Sequence, residues 1–272
     1  MAQLLQQNNA NTYRSSNRVT YSEQDNLMWH SIYDKQVNTL KGRVYDHFFD
    51  LLNELSLSKD RVPQLYEVSN TLKNKAGWTI SRVEGLIPYN DFFNLLANKI
   101  FPSTAYIRQF ESFSRDPDIF HELFGHCPML LDKNYSTFLS NIAKFALQCP
   151  RLEQIVIQRF LWYTIEVGII KTSQGLRIYG GALISSSQES VYALESKEPE
   201  KKRFDLLSVS RSPYRADVLQ SMYYIIDDFE ELYDFELSLD KISMVTNAAR
   251  LLGEYPAKFQ VEDNKYTNVN VF

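Results

Sequence analysis

Two of the four histidines in this 272-residue chain, His121 and His126, lie five residues apart in the apolar segment 117–128. Imidazoles are costly to bury without partners, and two close ones commonly hold a divalent metal ion. On an ideal helix of about 3.6 residues per turn, this spacing sets the two rings roughly 140° apart, unlike the i,i+4 pair of the zinc proteases. Both rings could reach one ion if the helix ended near Gly125, with Pro128 just beyond. The spacing therefore predicts a metal site that is not protease-like.

A third ligand is available in Glu166, which interrupts the largely apolar segment 155–170. A buried acid is rare unless it is paired, hydrogen-bonded or bound to a metal. Two imidazoles and one carboxylate form the facial triad of non-haem iron(II) oxygenases, although the same ligands can also hold zinc. Taken singly, each residue is more often structural, and Arg159 could instead pair with Glu166 along one helix face. Together the three residues predict a metal centre, with the choice of metal left open.

The elements that must position these residues are mostly helices. Hydrophobic periodicity predicts helices over 22–40, 44–55, 63–77, 88–98, 135–147, 152–170, 222–232 and 239–252. Short strands are predicted over 78–83, 175–179 and 259–272, and loops over 180–181 and 185–187. Residues 1–20 are polar and are expected to form a disordered tail. The pattern predicts a mainly α fold with one catalytic domain over 21–256 and a few short β-strands.

Composition narrows the classes of protein further. The net charge of −4 argues against a broad nucleic-acid-binding surface. No apolar run approaches the roughly 20 residues that span a bilayer, and no signal peptide is expected. The only two cysteines, Cys127 and Cys149, cannot form a disulfide framework, which favours the cytoplasm. No glycine-rich phosphate loop is present, which counts against nucleotide enzymes.

Several separated motifs resemble one known family, the pterin-dependent aromatic amino acid hydroxylases, and within it the bacterial type of phenylalanine 4-hydroxylase. The resemblance rests on residues 117–126, 106–108 and 162–168, on 179–181 followed by Ser185-Ser186, and on 62–65. Order and separation agree from about residue 25 to the end of the chain. The resemblance implies the fold of the family's catalytic domain.

The resemblance also implies a role for individual residues. His121, His126 and Glu166 would be the iron(II) ligands. Arg108 would bind the substrate's carboxylate, a task that suits its planar fork of donors. The other residues implied at the substrate are Ser114, Pro117, Trp162 and Ser185, of which Ser185 also supports a histidine ligand. The residues implied at the pterin are Gly85, Leu86, Ile87, Phe92 and Glu122.

By the same resemblance, the protein would hydroxylate L-phenylalanine to L-tyrosine with O2 and a tetrahydropterin (tetrahydrobiopterin or a related compound). Trp162 and Ala216 would favour phenylalanine over tryptophan and tyrosine. Leu161 and Val167 depart from the animal enzymes, which carry Tyr and Phe there. Residues 257–272 would form a C-terminal β-arm, and a monomer or a homodimer through that arm is expected. No N-terminal regulatory domain is expected.

Two hypotheses from other classes stay open at this point. A zinc hydrolase would use Glu122 as its general base, although the five-residue spacing of the histidines disfavours it. A non-catalytic binding module could have kept the fold, but it would be expected to have lost a ligand or Arg108. Neither loss is seen in the sequence.

Overall fold

Helices supply most of the structure in the computed structural model, which describes residues 18–109, 117–234 and 238–256. The α-helices are α1 (Glu23–Leu40), α2 (Phe48–Leu55), α3 (Leu65–Ala76), α4 (Tyr89–Ala97), α5 (Lys133–Ala146), α6 (Gln154–Leu161), α7 (Gly181–Ser185), α8 (Ser187–Glu195), α9 (Leu206–Arg211), α10 (Glu230–Asp234) and α11 (Leu239–Leu252). Two π-helical segments are π1 (His121–His126) and π2 (Trp162–Glu166), and a 3-10 turn covers Met129–Leu131. The predicted mainly α fold is confirmed. No helix in these ranges is long and apolar enough to cross a membrane.

The helices predicted best are those with their own end signals. Ser22 caps α1 in a reciprocal capping box with Asp25, and α11 begins at its predicted residue behind the Ser238 cap. Helix α3 ends at Gly77, whose φ of 73° lies in the left-handed region that glycine adopts without strain. Local chemistry is sufficient to place these boundaries.

The strands form two small parallel or mixed sheets. They are β1 (Thr79–Arg82), β2 (Ile100–Ser103), β3 (Ile169–Thr172), β4 (Gly175–Ile178), β5 (Glu200–Arg203) and β6 (Met222–Ile226). β1 pairs with β2 in parallel, with Thr79 opposite Ile100. The second sheet has the order β4-β3-β6-β5, in which only the β3–β4 pair is antiparallel.

Three predictions of local structure are wrong. Residues 222–226 form a central strand rather than the start of a helix, because β6 is paired on both edges, by β3 and by β5. The segment predicted as loop around 180–187 forms α7 and α8, divided at the Ser186 cap. The helix predicted over 152–170 leaves the α conformation at Trp162, and its last residues enter β3.

The His-motif helix ends at His126, one residue after the predicted end near Gly125, but His126 is still part of the helix, so the expected inward turn of a freed backbone is wrong. The chain continues through Gly125 as π1, with an i→i+5 hydrogen bond from the amide of Cys127 to the carbonyl of Glu122 at 3.2 Å. A π-helix places residues five apart on one face, so His121 and His126 project together without a helix end between them. Segment π2 has the same character, with Val167 bonded to Trp162 at 2.9 Å.

An aromatic core lies behind π1 and supports it. Phe120 and Phe124 stack at 4.7 Å between ring centroids with an interplanar angle of 13°, and Trp29 meets Phe120 edge to face. Aromatic pairs of this kind add about 0.5–1.5 kcal/mol beyond their buried area. One face of π1 is thereby fixed in the core, and the opposite face carries the histidines.

The ends of the chain fall mostly outside this description. The predicted tail, 1–20, is described only from Arg18, where the amide and carbonyl of Val19 bond the side-chain amide of Gln64 at 2.9 Å each. The predicted β-arm, 257–272, lies wholly outside the described residues.

Candidate metal centre and its cavity

The three predicted ligands meet at one point. Nε2 of His126 lies 3.1 Å from Nε2 of His121 and 3.2 Å from Oε2 of Glu166, and His121 Nε2 lies 3.6 Å from the same oxygen. Within the described part of the chain, no other group of three such side chains converges in this way. Glu166 is the last residue of π2, and His121 and His126 are the first and last residues of π1. The three side chains therefore all come from the π-helical segments.

The donor set fits a metal ion. Two ligand atoms about 2.1 Å from an ion and at right angles to each other would lie roughly 3.0 Å apart, close to the distances seen here. Without an ion, two imidazole nitrogens and a carboxylate would face each other with few protons to share. Two histidines and one carboxylate on one face are typical of non-haem iron(II) sites with open positions.

The charge states also suit a metal centre. Burial, aided by the like charge of His126, lowers the pKa of His121 to about 4. Burial alone would raise the pKa of Glu166, but the His126 and His121 imidazoles outweigh it and hold that pKa below its usual range. Near neutral pH the site therefore offers a neutral His121 and an ionised carboxylate, the forms that bind metals.

Ser185 and a close glycine fix the two imidazoles. The hydroxyl of Ser185 lies 2.9 Å from Nδ1 of His121, the partner that orients a metal-ligating ring. The ring of His126 lies directly on the backbone of Gly181, where an added Cβ would stand 2.3 Å from Cε1 and 2.4 Å from Nε2. Gly125, in turn, approaches the carbonyl of Gly181 so closely that its own Cβ would lie 2.6 Å from that oxygen. Packing of α7 on π1 therefore fixes the positions of both imidazole rings.

Arg108 is held by Asp118, a buried acid in the His motif that was not predicted as a site residue. Nε and Nη2 of Arg108 donate to the two carboxylate oxygens at 2.9 Å and 2.6 Å. Asp118 is fully buried and also accepts the backbone amides of Arg108 and His121, at 2.8 Å and 3.0 Å. One edge of the guanidinium is thus occupied, and among the residues that the structure describes none accepts from Nη1, whose donors suit a ligand carboxylate.

A single cavity collects the predicted residues. Its lining includes the three predicted metal ligands together with Gly85, Leu86, Ile87, Phe92, Arg108, Pro117, Glu122, Trp162 and Ser185. Ser114 lies outside the described residues. Burial, with the negative charges of Glu166 and Asp118, raises the pKa of Glu122 well above its usual range.

Comparisons with known proteins agree with this geometry. The family model for biopterin-dependent aromatic amino acid hydroxylases matches residues 4–265. The chain belongs to this family. It is 37% identical to the phenylalanine-4-hydroxylase of Pseudomonas aeruginosa over 243 residues, 89% of this chain and 92% of that enzyme.

Solved structures of relatives have the same fold. The phenylalanine hydroxylase of Legionella pneumophila is 43% identical, with a TM-score of 0.83 over 89% of this chain and 96% of that one. The phenylalanine hydroxylase of Chromobacterium violaceum with iron(III) and 7,8-dihydrobiopterin is 34% identical, with a TM-score of 0.82 over 89% and 88% of the two chains. The predictions of family and enzyme class are confirmed.

Other features of this hydroxylase were missed in the sequence. Asp118 lies within the motif but gives no periodic or spacing signal for a partner ten residues away. Glu189 and Gln220 line the cavity from α8 and from the segment before β6, and neither residue lies in an element that was predicted from the sequence. The proposed alternative partner of Glu166 is not used, because Arg159 donates to the carbonyl of Ser210 and pairs with Glu254.

We predict that Gly181→Ala weakens iron binding by roughly 10–100-fold, the range found when groups that orient metal ligands are disturbed. The new methyl group would overlap the ring of His126, so the ring would have to leave the position in which it faces His121 and Glu166. Anaerobic iron(II) titration would measure the loss. Gly77→Ala is the matched control, since its positive φ predicts a stability loss of about 1 kcal/mol with iron affinity unchanged. Equal iron affinities in wild type and Gly181→Ala would contradict this role of Gly181.

Glu189 makes stability depend on pH in a defined window. Burial raises its pKa to about 7, although Tyr223 and the amide of Gln220 donate to its Oε1 at 2.8 Å and 3.2 Å. Because the folded pKa lies above the unfolded value of 4.5, the stabilisation is complete below pH 4.5 and is lost as pH rises through 7. Between pH 5 and pH 8 the loss amounts to roughly 2 kcal/mol.

The variant Glu189→Gln tests whether Glu189 causes this pH dependence of stability. Glutamine keeps an acceptor oxygen for Tyr223 and Gln220 but does not titrate. We expect the free energy of unfolding of Glu189→Gln, measured by urea unfolding and expressed relative to wild type, to be higher at pH 8 than at pH 5. A constant difference between the two proteins would show that Glu189 has an ordinary pKa.

Proposed function

We propose that this chain is a phenylalanine 4-monooxygenase, which converts L-phenylalanine to L-tyrosine with O2 and a tetrahydropterin at one iron(II) ion. The observation that carries the proposal is the convergence of His121, His126 and Glu166 in a cavity that also presents Arg108 and Trp162. The names of the bacterial relatives support phenylalanine as the substrate.

The cavity offers a matching group for each part of the amino acid. Arg108, fixed by Asp118 and 8% exposed at its side chain, binds the carboxylate through its remaining donors. Pro117, Trp162 and the ring of His121 line the part of the cavity that takes the aromatic ring. Ser185 lines the cavity and orients the ring of His121, so it contacts both the substrate region and a metal ligand. Ser114 remains a predicted contact to the amino acid.

The pterin is assigned to the wall formed by Phe92 and the loop 85–87. Phe92 offers an aromatic ring for stacking, and the loop offers backbone groups. Glu122, whose pKa is raised by burial and by the nearby carboxylates of Glu166 and Asp118, lines the same cavity and is assigned to the pterin side. When bound, ferrous iron and the reduced pterin supply the electrons that activate O2, which reacts sluggishly with closed-shell molecules by itself.

The size of the ring pocket favours phenylalanine. The large indole of Trp162 takes up space that a bicyclic substrate would need, and the methyl side chain of Ala216 offers no hydrogen bond to a phenolic hydroxyl. A site without a partner for a hydroxyl group does not select for it. Phenylalanine therefore binds in preference to tyrosine and tryptophan.

The two other hypotheses now have less support. A zinc hydrolase is disfavoured because the chain belongs to a hydroxylase family and because its histidines are five residues apart rather than four. A binding module that had lost chemistry would lack part of the triad or Arg108, and all four residues line the cavity.

Tyrosine formation tests the proposal directly. Purified protein loaded with iron(II) under anaerobic conditions is mixed with O2, tetrahydrobiopterin and L-phenylalanine, L-tyrosine or L-tryptophan in turn. We expect tyrosine from phenylalanine, with one pterin oxidised per turnover, and slower turnover of the other two. A preference for tyrosine or tryptophan would overturn the substrate assignment, and amide hydrolysis by zinc-loaded protein would support the hydrolase instead.

Cytoplasmic location and a monomer or arm-paired homodimer stay predictions. Cys127 and Cys149 are buried and free, in keeping with a reducing compartment. The arm, 257–272, is outside the described residues, so light scattering of the full chain is the measurement that decides its assembly.

A further inference from the structure

The indole of Trp162 is held on two sides. Its face stacks on Tyr214, with 4.6 Å between ring centroids and an interplanar angle of 15°. Its Nε1 donates to Oε1 of Gln220 at 3.2 Å. A stacked face and a bonded edge together fix both the tilt and the in-plane rotation of a ring.

Gln220 is itself immobilised by bonds to a turn. Its Nε2 donates to the carbonyls of Arg215 and Val218 at 2.6 Å and 2.8 Å, and only 3% of the residue is exposed. Both donors and the acceptor of the amide are therefore used, which leaves one orientation for the group. Ala216 lies between the two bonded carbonyls and lines the cavity. One side chain thus ties Trp162 to the turn that carries Ala216.

The backbone of Gln220 is anchored as well. Its amide donates to Oε1 of Glu189 at 3.2 Å, and the hydroxyl of Tyr223 donates to the same oxygen at 2.8 Å. Glu189 is 2% exposed and lies on α8, whose first turn begins at the Ser186 cap. The network joins α8, β6 and π2 around the ring end of the cavity. Such fully satisfied buried networks keep a site rigid.

We propose that Gln220 is a positioning residue that sets ring selectivity, by fixing Trp162 and the Ala216 turn at one separation. This inference rests on the proposed function, since it assigns the ring pocket to an aromatic amino acid. Gln220 makes no chemical step. Loss of the hydrogen bonds of the Gln220 side chain releases Trp162 and the Ala216 turn, which widens the pocket and lets a bicyclic ring enter.

The test compares Gln220→Met with wild type and with Gln64→Met. Methionine has a similar volume but cannot form any of the hydrogen bonds that the side-chain amide of Gln220 makes. Gln64 is the matched control, because it is also buried and bonds backbone groups through both ends of its amide, but at Val19 and away from the cavity. We expect the ratio of kcat/KM for phenylalanine to that for tryptophan to fall about 10-fold in Gln220→Met alone, within the range that pocket shape controls.

A merely structural role would lower Tm in both variants and leave the ratio unchanged, which would overturn the inference. The link to Trp162 is tested by repeating Gln220→Met in a Trp162→Phe background, where the indole donor is gone. We expect a much smaller further change there, and an equal change in both backgrounds would show that Trp162 is not the group positioned. If Gln220→Met does not fold, Tyr223→Phe removes one bond to Glu189 and should shift the ratio in the same direction by about 3-fold.

Binding measurements separate this inference from the proposed function. Calorimetry with iron(II)-loaded protein under anaerobic conditions gives Kd values for L-phenylalanine and L-tryptophan without turnover. A shift of their ratio in Gln220→Met supports the inference even if wild type forms no tyrosine. A wild-type protein that binds neither amino acid would overturn both proposals.

Discussion

Glu166→Ala is expected to abolish tyrosine formation and to weaken iron(II) binding by roughly 100-fold or more, since loss even of a group that only orients a metal ligand costs 10–100-fold. The alanine variant keeps two imidazoles 3.1 Å apart and loses the charge that balances the ion. Metal content after dialysis against a weak chelator, together with an anaerobic iron titration, would measure the loss. Activity would be followed as tyrosine formed.

The control for this variant is Glu54→Ala. Glu54 is exposed and pairs with Lys75 at 3.1 Å on the protein surface, where such a pair contributes at most about 1 kcal/mol. Its iron affinity and turnover should equal those of wild type. Iron retained at full affinity in Glu166→Ala would remove Glu166 from the metal centre and leave the third ligand unassigned.

Arg108→Met is expected to destabilise the protein by roughly 3–5 kcal/mol, because it leaves the fully buried carboxylate of Asp118 without its partner. Arg108→Lys keeps the positive charge beside Asp118 and should be nearly as stable as wild type. It loses, however, the planar guanidinium that can bond Asp118 and the substrate at the same time. We expect its KM for phenylalanine to rise at least about 10-fold, since one charge-assisted hydrogen bond is worth about 1.5–3 kcal/mol.

The comparison of the two variants distinguishes binding from folding. Urea unfolding measures the free energy of each variant, and steady-state kinetics at saturating pterin give KM and kcat for phenylalanine. Lys171→Met, an exposed charge on β3 outside the cavity, is the control for a changed net charge. A lysine variant with wild-type KM would mean that Arg108 only neutralises Asp118 and does not contact the substrate.

The metal ligands could be chosen from the sequence because their chemistry is unusual there. Two histidines of only four, and one acid in an otherwise apolar segment, are hard to explain without a metal. The reason that they can meet was predicted wrongly, since π1 replaces the expected helix end. The i→i+5 turn of π1 is stabilised by packing of Phe120 and Phe124 against Trp29 and Phe48 and by contact of Gly125 with α7, which periodicity does not register.

Asp118, Glu189 and Gln220 needed the tertiary structure. Each is bonded to residues that are 10 to 58 positions away, as Asp118 is to Arg108 and Gln220 to Trp162. Such partners leave no trace in local spacing. The strand β6 was missed although Tyr and Ile, four residues of its sequence MYYII, favour strands, and its pairing with β3 and β5 places it inside the second sheet.

The sequence alone determined the mainly α class, the ends of the helices that carry caps and the family, and it indicated the three candidate ligands. These depend on side-chain type and on contacts within a few residues. The tertiary structure decided which backbone conformation aligns His121 with His126, how Asp118 holds Arg108, and how one glutamine joins two walls of the ring pocket. Those features depend on free energies of packing and of buried hydrogen bonds between distant segments, which exist only once the chain has folded.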